Sequence, residues 1–141
     1  MRRFVYVFIL VGIIAVALGC VLALTPRKSC SEGDQVEWFP VGAEKWVRVE
    51  LIHWIDENGK SYINVTKIFA DYSYNNVTWG NPVIEGNNIT VNVKHWKTGG
   101  GAQMILTLRH TYDLGVLPSG NYTFTFKVWD TPVKSITFTV P

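Results

Sequence analysis

Three histidines, His53, His95 and His110, are the side chains of this sequence best suited to hold a metal ion. Imidazole nitrogens bind zinc or copper when they converge on one ion at about 2.0 to 2.1 Å. No two of these histidines share a metal-ligand spacing, and the predicted strands place His95 and His110 at opposite ends of the domain. The sequence therefore predicts partly exposed histidines at strand ends, with no metal and no other cofactor.

Nucleophilic catalysis has no recognisable residues in this chain. No serine lies in a nucleophile-elbow pattern, and Cys30 lies in a short polar segment. The glycines at residues 99–101 lie between two predicted strands, so they lack the helix N-terminus that a phosphate-binding loop uses. We expect no enzymatic activity and nominate no catalytic residue.

The tryptophans are the more informative set. Exposed aromatic rings on a β-surface stack on sugar rings or anchor protein interfaces, whereas buried rings pack across a sandwich core. Trp46, Trp54 and Trp129 fall out of phase with the predicted strands or at strand ends, and together with Trp96 they form the predicted binding set. The six tryptophans of the chain are Trp38, Trp46, Trp54, Trp79, Trp96 and Trp129.

Four Asn-x-Thr sequons begin at Asn64, Asn76, Asn88 and Asn121, and each matches the acceptor pattern for N-glycosylation. All of them follow an apolar N-terminal segment and fall on polar strand faces or in turns. We take these asparagines as glycosylation candidates, which favours a domain outside the membrane. Thr-rich strands raise the chance frequency of the pattern, and in bacteria without such glycosylation it has no meaning.

The apolar segment at residues 4–24 follows Arg2 and Arg3. As a helix it is long enough to span the roughly 30 Å hydrocarbon core of a bilayer, and it exceeds the apolar core of most signal peptides. We expect an uncleaved anchor rather than a cleaved signal. A lipoprotein-type box at residues 17–20 makes Cys20 a lipidation candidate, although the residues after it stay apolar. A polar stalk, residues 25–34, then leads to a domain at residues 35–141.

The charged residues exclude one class of partner. The chain has 13 Lys and Arg against 11 Asp and Glu, and Arg2, Arg3, Arg27 and Lys28 all flank the apolar segment. The rest of the chain is therefore slightly acidic, and no basic stripe remains to bind nucleic acid. Of the two cysteines, one lies within the apolar segment, so the domain has no internal disulfide and depends on its hydrophobic core.

Apolar and polar residues alternate with period two along the domain, and no helical periodicity is present. The turn at residues 56–59 contains Asn58-Gly59 between two alternating segments, which is a strong hairpin signal. The sequence predicts an all-β fold, a single antiparallel β-sandwich of about seven strands. The predicted strands cover residues 47–51, 63–66, 72–79, 89–94, 104–108, 122–128 and 136–140.

Residues 117–128 and 133–140 resemble the last two strands of immunoglobulin-like sandwiches. In that superfamily, a Gly-x-Tyr sequence before the penultimate strand often forms a tyrosine corner, and Gly120 and Tyr122 match it here. The resemblance implies an immunoglobulin-like fold and a structural role for the Tyr122 hydroxyl. The chain is also similar to small membrane-anchored surface proteins of archaea and bacteria, which implies a location and no activity.

Chagasin-like inhibitors of cysteine proteases are also immunoglobulin-like and insert three loops into the protease cleft. Asn81-Pro82, the glycines at 99–101 and Trp129 resemble parts of those loops. The chain departs from the family motifs at residues 83–85, where Thr-Thr-Gly is expected, and at Val128, where proline is expected.

We interpret the chain as a non-enzymatic binding or assembly module displayed on the outer face of a cell membrane. It is expected to be single-pass, or secreted if residues 1–24 are cleaved. The expected partners are the membrane, through residues 4–24, and another envelope protein or a surface polysaccharide. A carbohydrate-binding module is the alternative, with a chagasin-like inhibitor third.

Overall fold

The computed structural model describes residues 36–141, and these form nine β-strands and two short 3₁₀ helices. The predicted anchor, the Cys20 lipidation box and the stalk with Cys30 lie outside the described residues. Between Val36 and Pro141, no helix is long and apolar enough to cross a membrane. The strands are β1 (Trp38–Pro40), β2 (Glu50–Ile55), β3 (Lys60–Phe69), β4 (Asn76–Thr78), β5 (Val83–Glu85), β6 (Asn88–Thr98), β7 (Leu106–Val116), β8 (Gly120–Val128) and β9 (Thr131–Val140), and the 3₁₀ helices are Ala43–Trp46 and Tyr72–Tyr74.

The strands form two sheets, which confirms the predicted all-β fold. In the first sheet β6 is central: β5 and β8 pair with opposite edges of its first half, and β9 follows β8. β1 and β4 both pair with Trp96, so they too lie on opposite edges of β6. The second sheet has the order β2-β3-β7. Inward side chains of both sheets form one hydrophobic cluster, which includes Ile63 and Val65 of β3 and Phe124 and Phe126 of β8. This shared core makes the fold a two-layer β structure.

Period-two alternation explains the faces of the central strands. In β8 the side chains of Tyr122, Phe124, Phe126 and Val128 are buried, and the residues between them are half-exposed, as predicted. Burial of such an apolar side chain contributes about 1.5–3 kcal/mol of transfer free energy relative to its exposure. The same alternation holds in β6, so these two strands form the inner wall of the first sheet.

The prediction of a wholly antiparallel sandwich is wrong at one strand pair. β6 and β8 pair in parallel, with Asn88 opposite Thr123 and Val93 opposite Val128. The intervening strand β7 belongs to the other sheet, so the chain crosses to the second sheet and returns beside β6 in the same direction. All other pairings are antiparallel.

The predicted strand at residues 47–51 begins too early. The chain instead forms the 3₁₀ helix Ala43–Trp46, and β2 starts only at Glu50. Val47, expected to face the core, is 72% exposed because the helical turn directs Trp46 inward in its place. Two further strands, β1 and β5, are three residues long with every side chain exposed, so alternation gives no sign of them.

The predicted hairpin between β2 and β3 is confirmed. Ile55 pairs with Ser61, and Gly59 has a φ of 76°, which glycine adopts without strain. The carboxylate of Asp56 accepts hydrogen bonds from the amides of Lys60 and Asn58, each at 2.9 Å. These bonds hold the pKa of Asp56 below its usual value, because they favour the charged carboxylate. The hairpin fixes which residues of β2 and β3 lie side by side.

Candidate functional site

Trp46 lies in the core and not on the surface. Its side chain is 0% exposed and packs edge-on against Phe69 and Trp79, with ring centroids 5.4 and 5.9 Å apart. Its indole Nε1 donates a hydrogen bond to Nδ1 of His95 at 3.0 Å. The prediction that Trp46 belongs to the binding set is therefore wrong, because its polar N–H finds an acceptor inside the core.

His95 is also fully buried, which corrects the prediction of a partly exposed histidine. Because Trp46 donates to Nδ1, the other ring nitrogen carries the proton, and Nε2 donates to the carbonyl oxygen of Tyr74 at 2.7 Å. Burial lowers the pKa of His95 and keeps the ring neutral. Both nitrogens are thus engaged within the protein.

His110 belongs to the same aromatic cluster as His95. It stacks on Trp79 at 4.9 Å, and Trp79 in turn contacts Trp46. The prediction that His95 and His110 lie at opposite ends of the domain is wrong, because Trp79 connects the two sheets at this point. Within residues 36–141, no group of His, Cys, Asp and Glu side chains is placed to hold a metal ion.

Trp96 and Trp129 pack against each other at a corner of the first sheet. Their rings are 5.2 Å apart in an edge-to-face arrangement, and Nε1 of Trp129 donates to the Val41 carbonyl at 3.1 Å. Trp129 and Asp130 form the two-residue turn between β8 and β9, with φ angles of 49° and 63°. Both predicted binding residues are half-buried, and their rings brace this turn rather than forming a flat platform.

Trp54 lies on the outer side of the second sheet, where the structure places the best candidate for a binding surface. It is 40% exposed and stacks on Tyr62 of the neighbouring strand, with centroids 5.4 Å apart and ring planes 17° apart. Ile52, two residues earlier on β2, is 50% exposed on the same side. We call the surface of Ile52, Trp54 and Tyr62 the aromatic face.

Polar groups border the aromatic face. Asp113 is paired with Tyr62 across the sheet and lies 3.7 Å from the Lys60 ammonium. The Tyr62 hydroxyl donates to the Asp56 carboxylate at 3.4 Å, and desolvation together with the charges of Asp113 and Asp56 raises the pKa of Tyr62. The phenol therefore stays neutral and remains a hydrogen-bond donor. Rings surrounded by carboxylates suit ligands that combine an apolar surface with hydroxyl or amide donors.

A shallow groove of about 430 Å³ continues the aromatic face along the sheet. Glu50 and Thr66 pair across β2 and β3 and line the groove, two residues along the strands from Ile52 and Asn64. Arg48 and Lys67 also line the groove. Burial is the larger cause that lowers the pKa of Lys67, and the positive charge of Arg48 is the smaller one. The face and the groove together offer one elongated surface.

The sequon asparagines are distributed over both sheets. Asn64 lies beside the aromatic face, where its amide donates to Thr111 at 3.0 Å and its oxygen accepts from Thr66 at 2.8 Å. Asn76 is half-buried, whereas Asn88 and Asn121 are exposed at neighbouring ends of β6 and β8. The use of these asparagines as glycan acceptors stays a prediction.

Two of the three loops expected of a chagasin-like inhibitor lie apart along the first sheet. A Cβ built on Gly80, just before Asn81, would lie 2.5 Å from the carbonyl oxygen of Asn92, so this loop lies against the middle of β6. Gly100 lies beyond Thr98, where β6 ends. At about 3.3 Å per residue, residues 92 and 98 are roughly 20 Å apart. The two loops therefore lie at different positions along the sheet.

Comparison of the chain with known protein families, characterised proteins and solved structures gives no match. Tyr62 and Ile52 were not among the predicted binding residues, and the hairpin contains the missed signal. If residues are paired across the hairpin outward from the Asn58-Gly59 turn, Trp54 lies opposite Tyr62. The two aromatic rings therefore share one face of the sheet.

Proposed function

We propose that this protein is a non-enzymatic binding module, displayed outside the membrane by residues 4–24, that binds a cell-envelope partner through its aromatic face. One observation carries the proposal: Trp54 is held by stacking on Tyr62 while a large part of its surface stays open to solvent. Tryptophan and tyrosine are the side chains that most often dominate binding energy at protein interfaces.

Preorganisation supports a binding role for Trp54. An exposed side chain that becomes ordered on binding costs about 0.5–1.5 kcal/mol of conformational free energy. The stack on Tyr62 restricts the indole before any partner arrives, so part of this cost is absent. Ile52 adds apolar surface beside it, and β2 is an edge strand of its sheet. A partner protein is the ligand class that best uses an apolar patch beside a sheet edge.

A surface polysaccharide is the second candidate ligand. Two nearly parallel rings bordered by Asp56, Asn64 and Asp113 combine a stacking surface with hydrogen-bonding groups for sugar hydroxyls. The groove lined by Glu50 and Thr66 extends this surface in the direction that a chain-like ligand would follow. The two rings face each other and do not lie side by side as a flat platform for a sugar ring. For this reason we rank the polysaccharide below a partner protein.

The immunoglobulin-like fold belongs to the same proposal. The β8–β9 hairpin supports it, as does the Tyr122 hydroxyl, which donates to the Pro118 carbonyl at 2.8 Å in the manner of a tyrosine corner. The parallel pairing of β6 with β8 departs from the pattern.

Substitution of Trp54 tests the proposal. The full-length chain in detergent would be used to capture ligands from envelope extract, with Trp54→Ala compared with Trp38→Ala, whose indole is equally exposed at 41% on another part of the domain. We expect Trp54→Ala to weaken binding of the captured ligand at least tenfold, about 1.4 kcal/mol or more, and Trp38→Ala to leave it unchanged. Equal affinities for wild type and Trp54→Ala would contradict the proposal.

Protease digestion of the extract identifies the ligand class. Capture that is abolished by digestion indicates a partner protein. Capture that survives digestion and still depends on Trp54 indicates a polysaccharide, and titration with the purified polysaccharide would then measure its affinity directly.

A further inference from the structure

A second apolar surface lies at one end of the domain, away from the aromatic face. Three segments form it: β1, the 3₁₀ helix Tyr72–Tyr74 and the loop at residues 99–105. We call this surface the apolar end. Its exposed apolar side chains are Val36, Trp38, Phe39, Tyr72, Met104 and Ile105.

Backbone contacts hold these three segments together. Trp38 pairs with Thr98 at the end of β6, and the amide of Tyr72 donates to the Ala102 carbonyl at 3.1 Å. A Cβ built on Gly99 would lie 3.7 Å from the Phe39 ring. The segments therefore lie together at one end of the domain, where Phe39 lines a cleft of about 570 Å³ and Trp38, the residue before it on β1, faces the other side of the sheet.

The composition of the apolar end matches a surface that meets lipid. Tryptophan and tyrosine concentrate at the level of lipid headgroups, where an amphipathic ring contacts both the apolar and the polar phase. Met104 and Ile105 supply exposed aliphatic surface, and Ile105 is 74% exposed. Lys97, whose ammonium lies 5.6 Å from the Tyr74 ring centroid, lines the cleft together with Asp71, and a lysine at this position can extend its ammonium to the polar headgroup region.

The length of the intervening chain limits how far this end can lie from the proposed anchor. The described domain begins at Val36, within the apolar end, and the apolar segment at residues 4–24 is the proposed anchor. Residues 25–35 span at most about 40 Å, at 3.3–3.6 Å per residue. A domain of this size has a radius of gyration of about 13 Å, so the tether is comparable with the domain's own width.

We propose that the apolar end lies on the surface of the lipid bilayer, with Trp38 and Tyr72 at the headgroup level and Ile105 directed toward the acyl chains. This inference rests on the proposed anchor. The orientation leaves the aromatic face free, because β3 runs from the Gly59 turn to Phe69 beside the apolar end. Trp54 and Tyr62, near the turn, lie at the opposite end of that strand.

Tryptophan fluorescence in the full-length chain tests this orientation. The protein would be reconstituted into phosphatidylcholine vesicles with plain or brominated acyl chains, since bromine quenches nearby indoles. All six tryptophans follow residue 35, and Trp38 is the tryptophan of the apolar end. We expect brominated lipid to quench part of the tryptophan emission of the wild type. Trp38→Phe should remove at least half of this quenched emission, and Trp54→Phe should leave the quenched emission unchanged.

A second variant tests the same surface without changing the probe. Ile105→Glu places a charge on a side chain that is already exposed, so the fold is retained, and we expect it to reduce the quenching of Trp38 at least twofold. Unchanged quenching in both Trp38→Phe and Ile105→Glu would overturn the inference. Vesicle flotation separates the two proposals: protein that floats without Trp38 quenching overturns only the membrane contact, and protein that does not float overturns the anchor as well.

Discussion

At the scale of single residues, the turn between β8 and β9 places a bulky side chain where the backbone disfavours it. Two-residue hairpin turns with positive φ at both positions usually contain Asn-Gly, and here they contain Trp129 and Asp130. Contacts outside the turn hold the strained conformation. The amide of Trp129 donates to Val93 at 3.0 Å, and Asp130 and Asn92 exchange two hydrogen bonds of 2.9 and 2.7 Å. The turn is thereby fixed to β6.

Comparison of Trp129→Gly with Trp129→Ala measures this strain. Both variants lose the packing on Trp96 and the hydrogen bond to Val41, so both are less stable than the wild type. Glycine adopts positive φ freely, whereas a left-handed conformation costs other residues about 1–2 kcal/mol. We expect the glycine variant to be more stable than the alanine variant by about 1 kcal/mol in urea unfolding. Equal or reversed stabilities would show that the turn is not strained.

At the scale of strands, the sequence predicts those strands in which apolar and polar residues alternate over several positions. β3, β6, β8 and β9 follow from period-two patterns, and the β2–β3 hairpin follows from Asn58-Gly59. β1 and β5 are too short for any pattern, and their pairing with β6 depends on the rest of the sheet. The parallel pairing of β6 with β8 depends on β7 joining the other sheet, which no local signal contains.

The same limit applies to the candidate site. Trp54 is predicted as a binding residue because it falls out of phase with the predicted strands or at a strand end. The burial of Trp46 could not be predicted, because its hydrogen-bond acceptor, His95, lies 49 residues away in the sequence. Polar contacts between distant residues decide which tryptophans are buried, and period-two patterns do not record them.

The link between β4 and β5 gives a prediction at the scale of elements. Gly80 has a φ of 69°, and an added Cβ would lie 2.5 Å from the Asn92 carbonyl oxygen; Gly86, with a φ of 59°, has no atom within 4 Å of that position. Gly86→Ala therefore meets only the backbone strain, about 1 kcal/mol. We expect Gly80→Ala to cost at least 1 kcal/mol more in thermal or urea unfolding. Similar losses in the two variants would mean that the strand link does not lie against β6.

At the scale of the whole molecule, burial makes folding sensitive to acid. Desolvation lowers the pKa of His53, His95 and His110, so the folded state favours the neutral ring at all three positions. The unfolded chain takes up these protons near pH 6.5, at a higher pH than the folded chain. The stabilisation is therefore fully present above about pH 6.5 and is lost as the pH falls through that value toward the lower folded pKa values.

We expect the free energy of unfolding to decrease between pH 7.5 and pH 5.5, by up to about 1.4 kcal/mol per pH unit for each linked proton. His95→Gln keeps a donor and an acceptor without a titrating group, so it should be less stable at pH 7.5 and show a flatter dependence on pH. His110→Gln, at a half-buried position, is the control and should change the slope less. A wild-type slope in His95→Gln would contradict the assignment to His95.

The position of β8 has a consequence for biogenesis. This strand lies between β6 and β9, and its Phe126 packs on Trp46 at 5.3 Å, yet it is synthesised only after β1 to β7. Until it emerges, one edge of β6 is open and the aromatic cluster around Trp46 is incomplete. A chain that stops before Gly120 therefore lacks the buried side chains of β8, among them Phe124 and Phe126, and its core stays incomplete until this strand is added.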